Sequence, residues 1–335
     1  MRQQNHKTDN LLNKMKIFLR SLLPLLTVIA LASCQKDINY FVPDGPAVVD
    51  TVWQNSITAS MPVMSLKNDL LISKRTDNFT YNNTDIVFAN GITTLTIPAG
   101  GLTSNTGTSI TSGNITQTSL LLQRKGDIIR MSMPTESGER LMVSGGFFFL
   151  DLKKENDIIR INQDTSVNLK YNSTIAAPGM KVFNASGDLL SGYSWIANNN
   201  TVRNKVTLTG NGLEVSMNKI QWVHPAYIFD TVGIPQTKLS VKLPSNYTNA
   251  NTAVYVVFND MQCVAEAKAD LGSRRFNTID IPANRTVSVV VLSKQSTDYY
   301  LGYQQVLTSV TAPQIINITP VKKSFENVVS YLNGL

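Results

Sequence analysis

Imidazoles and thiols are almost missing: the 335 residues hold two histidines and two cysteines. One histidine, His6, stands in a basic N-terminal leader, so His224 is the one imidazole left for the rest of the chain. A multi-histidine metal site is thereby excluded, and four-cysteine zinc sites are excluded by count. A Ser-His-Asp triad would have to use His224, yet no Gly-x-Ser-x-Gly elbow is present. His224 stands among aromatics before Pro225, the setting of a packed structural residue. Phosphate-cradling glycine loops and Asp-x-Asp-x-Asp calcium loops are also missing. No metal or cofactor is expected. Paired carboxylates remain open, because a glycosidase dyad draws on distant strands and leaves no local motif.

Charge is sparse as well, at 16 % of residues. The net charge of +7 contains +4 from Arg2, Lys7, Lys14, Lys16 and Arg20 set against Asp9, leaving +3 beyond the leader. No basic cluster suggests nucleic acid. Asn, Thr and Ser take the place of charge, often on alternating positions, which suits strands with one solvated face.

What is present at the start is the run Phe18–Ala30, with Lys14, Lys16 and Arg20 on its N-terminal side, then Leu31-Ala32-Ser33-Cys34. This is the layout of a signal peptide, and the run is shorter than the roughly 20 residues a spanning helix needs. Leu31–Cys34 resembles the lipobox of bacterial lipoproteins. The resemblance implies cleavage after residue 33, lipidation of Cys34 and attachment to the membrane through its acyl chains. Two or three such chains make attachment effectively permanent. Gln35-Lys36-Asp37 resembles the surface-export tag of Bacteroidota lipoproteins, which implies an outer-membrane location facing outward; a periplasm-facing position stays open. With Cys34 lipidated, Cys263 is alone, and its apolar neighbourhood predicts a buried, inert thiol.

The remainder reads as all-β: two antiparallel β-sandwich domains and a short C-terminal helix. Residues 34–55, with Pro43, Gly45 and Pro46, read as a tether. Residues 56–230 read as a first sandwich with a hairpin extension. Its signals include Asp85–Ala89 before Asn90-Gly91, Thr93–Ile97, Ser119–Leu122 before a turn at Lys125–Asp127, and the interior run Phe147–Leu152. Asn204–Met217 reads as a hairpin whose Gly210-Asn211-Gly212 loop supplies positive φ. Residues 235–335 read as a second sandwich through Lys238–Leu243, Val254–Phe258 and Thr286–Leu292. Phe325, Val328, Val329 and Leu332 are spaced for an amphipathic helix stopped at Asn333-Gly334. The order Ile97-Pro98-Ala99-Gly100, Gly126-Asp127, Met133-Pro134-Thr135 and Gly145-Gly146-Phe147 resembles a sandwich region of Bacteroidota lipoproteins. It is distantly similar to the ZU5 domain, whose members bind proteins without catalysis; the likeness covers residues 85–170.

These readings point to a binding or structural protein without catalytic machinery, whose partner is a glycan or another envelope protein. A carbohydrate-binding member of a nutrient-uptake system is the alternative, and a glycosidase the third. Candidate ligand-binding aromatics are Trp195, Trp222, Tyr227, Tyr299, Tyr300 and Tyr303, because their rings suit sugar faces. For Trp222 and Tyr227, packing at the domain boundary is the favoured reading over ligand binding. Asp50-Thr51-Val52 and Asp230-Thr231-Val232 resemble the O-glycosylation motif of the same phylum, with Thr51 and Thr231 as acceptors.

Overall fold

Alternating apolar and neutral polar residues become strands through nearly the whole of the computed structural model, which describes residues 52–89, 91–310 and 314–335. The leader, Cys34, Gln35, Lys36, Asp37 and Thr51 lie outside the described residues. The protein is all-β, built of sheets antiparallel throughout except where Leu239–Lys242 pairs with Gln314–Asn317 in parallel, with three helices among the described residues, the last a short C-terminal one.

A long sheet follows the order Arg75–Tyr81, Gly113–Leu122, Phe147–Lys154, Gln221–Ile228, Lys181–Asp188, Gly192–Ala197. A smaller sheet orders Lys205–Thr209, Gly212–Met217, Val167–Asn172, Thr93–Ile97, Ile86–Ala89. They pack face to face, with Leu95, Ile97, Leu169 and Val215 of the small sheet against Ile115, Phe148, Leu150 and Val223 of the long one. Phe147 and Phe149, one residue out of phase with Phe148, point to the opposite face, as period-two geometry requires. Both faces of the strand's first half are therefore buried, which explains the uninterrupted apolar run Phe147–Leu150.

The C-terminal half holds a two-stranded sheet, Gln236–Thr237 with Ile281–Pro282, and one large sheet ordered Gln314–Asn317, Leu239–Lys242, Arg275–Asn277, Val264–Asp270, Thr252–Phe258, Thr286–Gln295, Asp298–Leu307, Val321–Lys323. It curls over itself, so that Leu239, Val241, Phe276 and Ile316 near one end share a core with Val254, Val256, Val289 and Val291. Tyr255 and Val257 face the other way and join Phe147, Phe149 and Trp222 of the long sheet in a second cluster. Helices α1 (Pro62–Leu70), α2 (Lys125–Arg130) and α3 (Phe325–Asn333) fill the edges of that cluster with Leu66, Ile128 and Leu332. The interval 230–235 is thus where the chain crosses between sheet systems, yet the described residues form one compact unit with a shared core.

The structure corrects three local expectations. Residues 125–127 open a helix rather than a turn: Arg124 pairs with Asp127 at 2.8 Å across its first turn, while Ile128 and Ile129 are buried. The 204–217 hairpin closes through Gly210-Asn211, and none of Gly210, Asn211 or Gly212 has positive φ. Glycine is needed at 212 for another reason, since a Cβ there would stand 2.1 Å from the Tyr171 carbonyl oxygen. Finally, the ordered body reaches back into the expected tether. Trp53 lies 5.1 Å from the Phe276 ring, and Gln54 exchanges two hydrogen bonds with Asn249, at 2.9 and 2.7 Å.

Candidate ligand-binding cleft

The docking of Trp53 creates a cleft. One wall is Val52-Trp53; another is Lys242 at the end of its strand, followed by Leu243, Pro244 and Ser245; the third is the turn carrying Ser273 and Arg274. Tyr247 completes the lining, and the volume is about 730 Å³. That lies within the range of small-molecule sites.

Each wall is held by local hydrogen bonding. Tyr247 N–H donates to the Pro244 carbonyl, and its hydroxyl donates to the Pro320 carbonyl at 3.1 Å. Burial, then the neighbouring Tyr300, raises the Tyr247 hydroxyl above its ordinary pKa, so it stays a neutral donor. In the opposite turn the Asp270 carboxylate accepts from Gly272 N–H at 3.1 Å, Ser273 Oγ at 2.7 Å and Asn277 Nδ2 at 3.1 Å. The Ser273 hydroxyl bond leads among the causes that hold Asp270 below its usual carboxylate range. Arg274 follows with φ +52°, in the left-handed region that non-glycine residues seldom occupy. Lys242 and Arg274 are both exposed, and neither has an ion-pair partner among the described residues. Among the described residues the cleft thus offers an aromatic wall and two cations without ion-pair partners, with no carboxylate in its lining.

The aromatics expected to bind are dispersed. Trp195 is 1 % exposed; its Nε1 donates to the Pro134 carbonyl and its ring lies against Phe147 and His224, so it has no face to offer a ligand. Trp222 is buried against Phe149 in the core shared by the two halves. Tyr227 is half-buried against the first sandwich core. Along the Asp298–Leu307 strand, Tyr299 donates to Asp69 at 2.8 Å, and Tyr303, 61 % exposed, stacks on Tyr331 of α3 at 4.6 Å. Tyr300 points to the other face and meets Tyr247 edge-on at 5.8 Å, which puts it one ring away from the cleft. Thr231 is exposed in a turn where the Asp230 carboxylate accepts from Val232 N–H.

The groups with chemical potential elsewhere are enclosed. His224 sits between Phe147 and Trp195, at 4.2 and 4.5 Å, with neither ring nitrogen hydrogen-bonded. Burial holds its pKa well below the ordinary value. The Cys263 thiol is buried, accepts from Thr135 Oγ1 at 3.3 Å and is pushed up to about 12 by desolvation. Glu136 and Glu266 are adjacent carboxylates. Glu136 is 4 % exposed, spends Oε1 on Glu266 N–H at 2.7 Å and is raised to about 7, chiefly by burial. Such a closed carboxyl has no open face toward a substrate.

Among the described residues no group of three or more His, Cys, Asp or Glu side chains is placed to hold a metal, and no helix is long and apolar enough to cross a membrane. Sequence reasoning missed Trp53 because its proline- and glycine-containing surroundings read as tether. The available signal was the single tryptophan of that segment, which also carries Val48, Val49 and Val52 just before it. In comparison with known proteins, the chain matches no family model and no curated sequence.

Proposed function

We propose that this chain is a lipid-anchored protein of the outer membrane, displayed on the cell surface, that captures a saccharide in the Trp53 cleft and does not transform it. The cleft carries the reading: about 730 Å³, walled by Trp53 and Tyr247 and held by hydrogen-bonded turns. Aromatic rings pack against the apolar faces of sugars, while flanking hydroxyls and cations address the polar edges. The lipobox-like Leu31–Cys34 and the tag-like Gln35-Lys36-Asp37 support the address. Gln35–Thr51 would separate the lipid from the first described residue by 17 positions, an extended reach of at most about 60 Å.

Two measurements test the proposal. Membrane fractionation of a Cys34→Ser variant is expected to release the protein unlipidated; unchanged sedimentation with the outer membrane would remove the anchor. Detergent-solubilised mature protein on a glycan array is expected to retain a subset of saccharides, and Trp53→Ala to lose them. An array without a single retained glycan would remove the capture role.

A protein partner is the second reading, favoured by the strand edge at Tyr303–Leu307. Only Tyr299–Leu301 of this strand pair with Val321–Lys323, so Tyr303 and Leu307 stand exposed beside an uncovered ladder. Co-purification from solubilised membranes that is lost in Tyr303→Ala would favour it.

A further inference from the structure

Resting on the cleft as a saccharide site, we infer that its ligand is acidic: a sugar carrying carboxylate or phosphate. Among the described residues the lining holds two cations, Lys242 and Arg274, and no anion. Three lysines of this half are ion-paired, Lys238 with Asp280, Lys294 with Asp69 and Lys322 with Asp298, whereas Lys242 and Arg274 have no ion-pair partner among the described residues. The acid nearest Arg274 in sequence is Asp270, and its oxygens are committed to Gly272, Ser273 and Asn277 within the turn. Counting that carboxylate, the rim keeps an excess of positive charge.

Geometry adds to charge. Arg274 sits at φ +52° in a turn that Asp270 ties down, which sets its backbone at the rim while its exposed guanidinium stays free to meet a ligand. That planar fork of donors suits a carboxylate or phosphate, which it meets in parallel hydrogen bonds. Lys242 supplies a mobile second charge from the facing wall. Trp53 then contacts the sugar ring. A neutral sugar would leave both cations desolvated without a partner, which disfavours it.

The test is calorimetric titration of the detergent-solubilised mature protein with size-matched acidic and neutral oligosaccharides: uronate, sialate and sugar-phosphate members against neutral ones. Acidic members are expected to bind about ten-fold or more tightly at low salt, the worth of a charge-assisted hydrogen bond. That margin should shrink in high salt and vanish in a Lys242→Gln/Arg274→Gln variant whose thermal unfolding is unchanged. Presenting the same sugar phosphate free and on lipid vesicles separates the sources: tighter binding on vesicles assigns a lipid headgroup, and equal binding a free glycan, the charge requirement standing in both. Equal affinity for neutral and acidic members overturns the inference and leaves saccharide capture intact. Failure of every member to bind overturns both.

Discussion

At the scale of single residues, burial decides which groups are chemically silent. Cys263 is desolvated and its thiol raised to about 12, so the thiolate that reagents attack is scarce. A disulfide reagent is therefore expected to leave Cys263 unmodified in folded protein and to label it fully in denaturant; rapid labelling of the folded form would refute the packing. His224 and Glu136 are enclosed too, with opposite consequences for pH. The folded pKa of His224 is depressed, so the stability it allows is present above the unfolded value of about 6.5 and is lost as pH falls below it. Glu136 is raised to about 7 from an ordinary 4.5, so its contribution is full below about 4.5 and is lost as pH rises through 7. Denaturant titrations across pH are expected to show a weaker acid-side loss in His224→Phe. Glu136→Gln keeps the acceptor for Glu266 N–H and should gain about 3 kcal/mol at pH 8 relative to pH 4. Parallel curves for variant and parent would contradict either assignment.

At the scale of elements, one close approach organises the edge of the second cluster. Gly126 of α2 lies under the C-terminal end of α3, where a Cβ would stand 1.6 Å from the Leu332 carbonyl oxygen. Alanine favours a helix over glycine by about 1 kcal/mol, but forcing backbone apart costs about 1–3 kcal/mol or more. Packing wins on these magnitudes, so Gly126→Ala should lower the thermal midpoint; an increase would show that propensity governs. Helix α3 itself was legible because its signals are local. Ser324 caps it by accepting from Asn327 N–H, Val328 and Leu332 are buried at helical spacing, and Gly334 ends it. The strands of Val254–Phe258 and Phe147–Leu152 were legible for the same reason. Helix α2 was not, because glycine and aspartate there obey contacts with α3 and Arg124 rather than turn chemistry.

At the scale of the whole molecule, the long sheet and the curled sheet share Phe147, Trp222, Tyr255, Val290 and Leu292 in one apolar cluster. Exposing that surface by unfolding either half alone would cost roughly 25 cal/mol per Å² of apolar area. Calorimetry is therefore expected to record one unfolding transition, and two well-separated ones would contradict the shared core. The cleft belongs to this scale as well. Its residues come from positions 53, 242, 247 and 274, which only the pairing of Leu239–Lys242 with Arg275–Asn277 and the docking of Trp53 on Phe276 bring together. No local pattern announces such a meeting. Among the aromatics singled out from sequence, Tyr300 came within one ring of it through Tyr247, whereas Trp195 and Trp222 were claimed by the core.

The chain's three tryptophans give the cleft its most direct test, because Trp195 and Trp222 are buried and Trp53 alone stands half-buried in the lining. Titrating the solubilised protein with a retained oligosaccharide while following tryptophan emission should give a saturable change that Trp53→Phe abolishes. The same saturable change persisting at full amplitude in Trp53→Phe would place the ligand elsewhere and contradict the account.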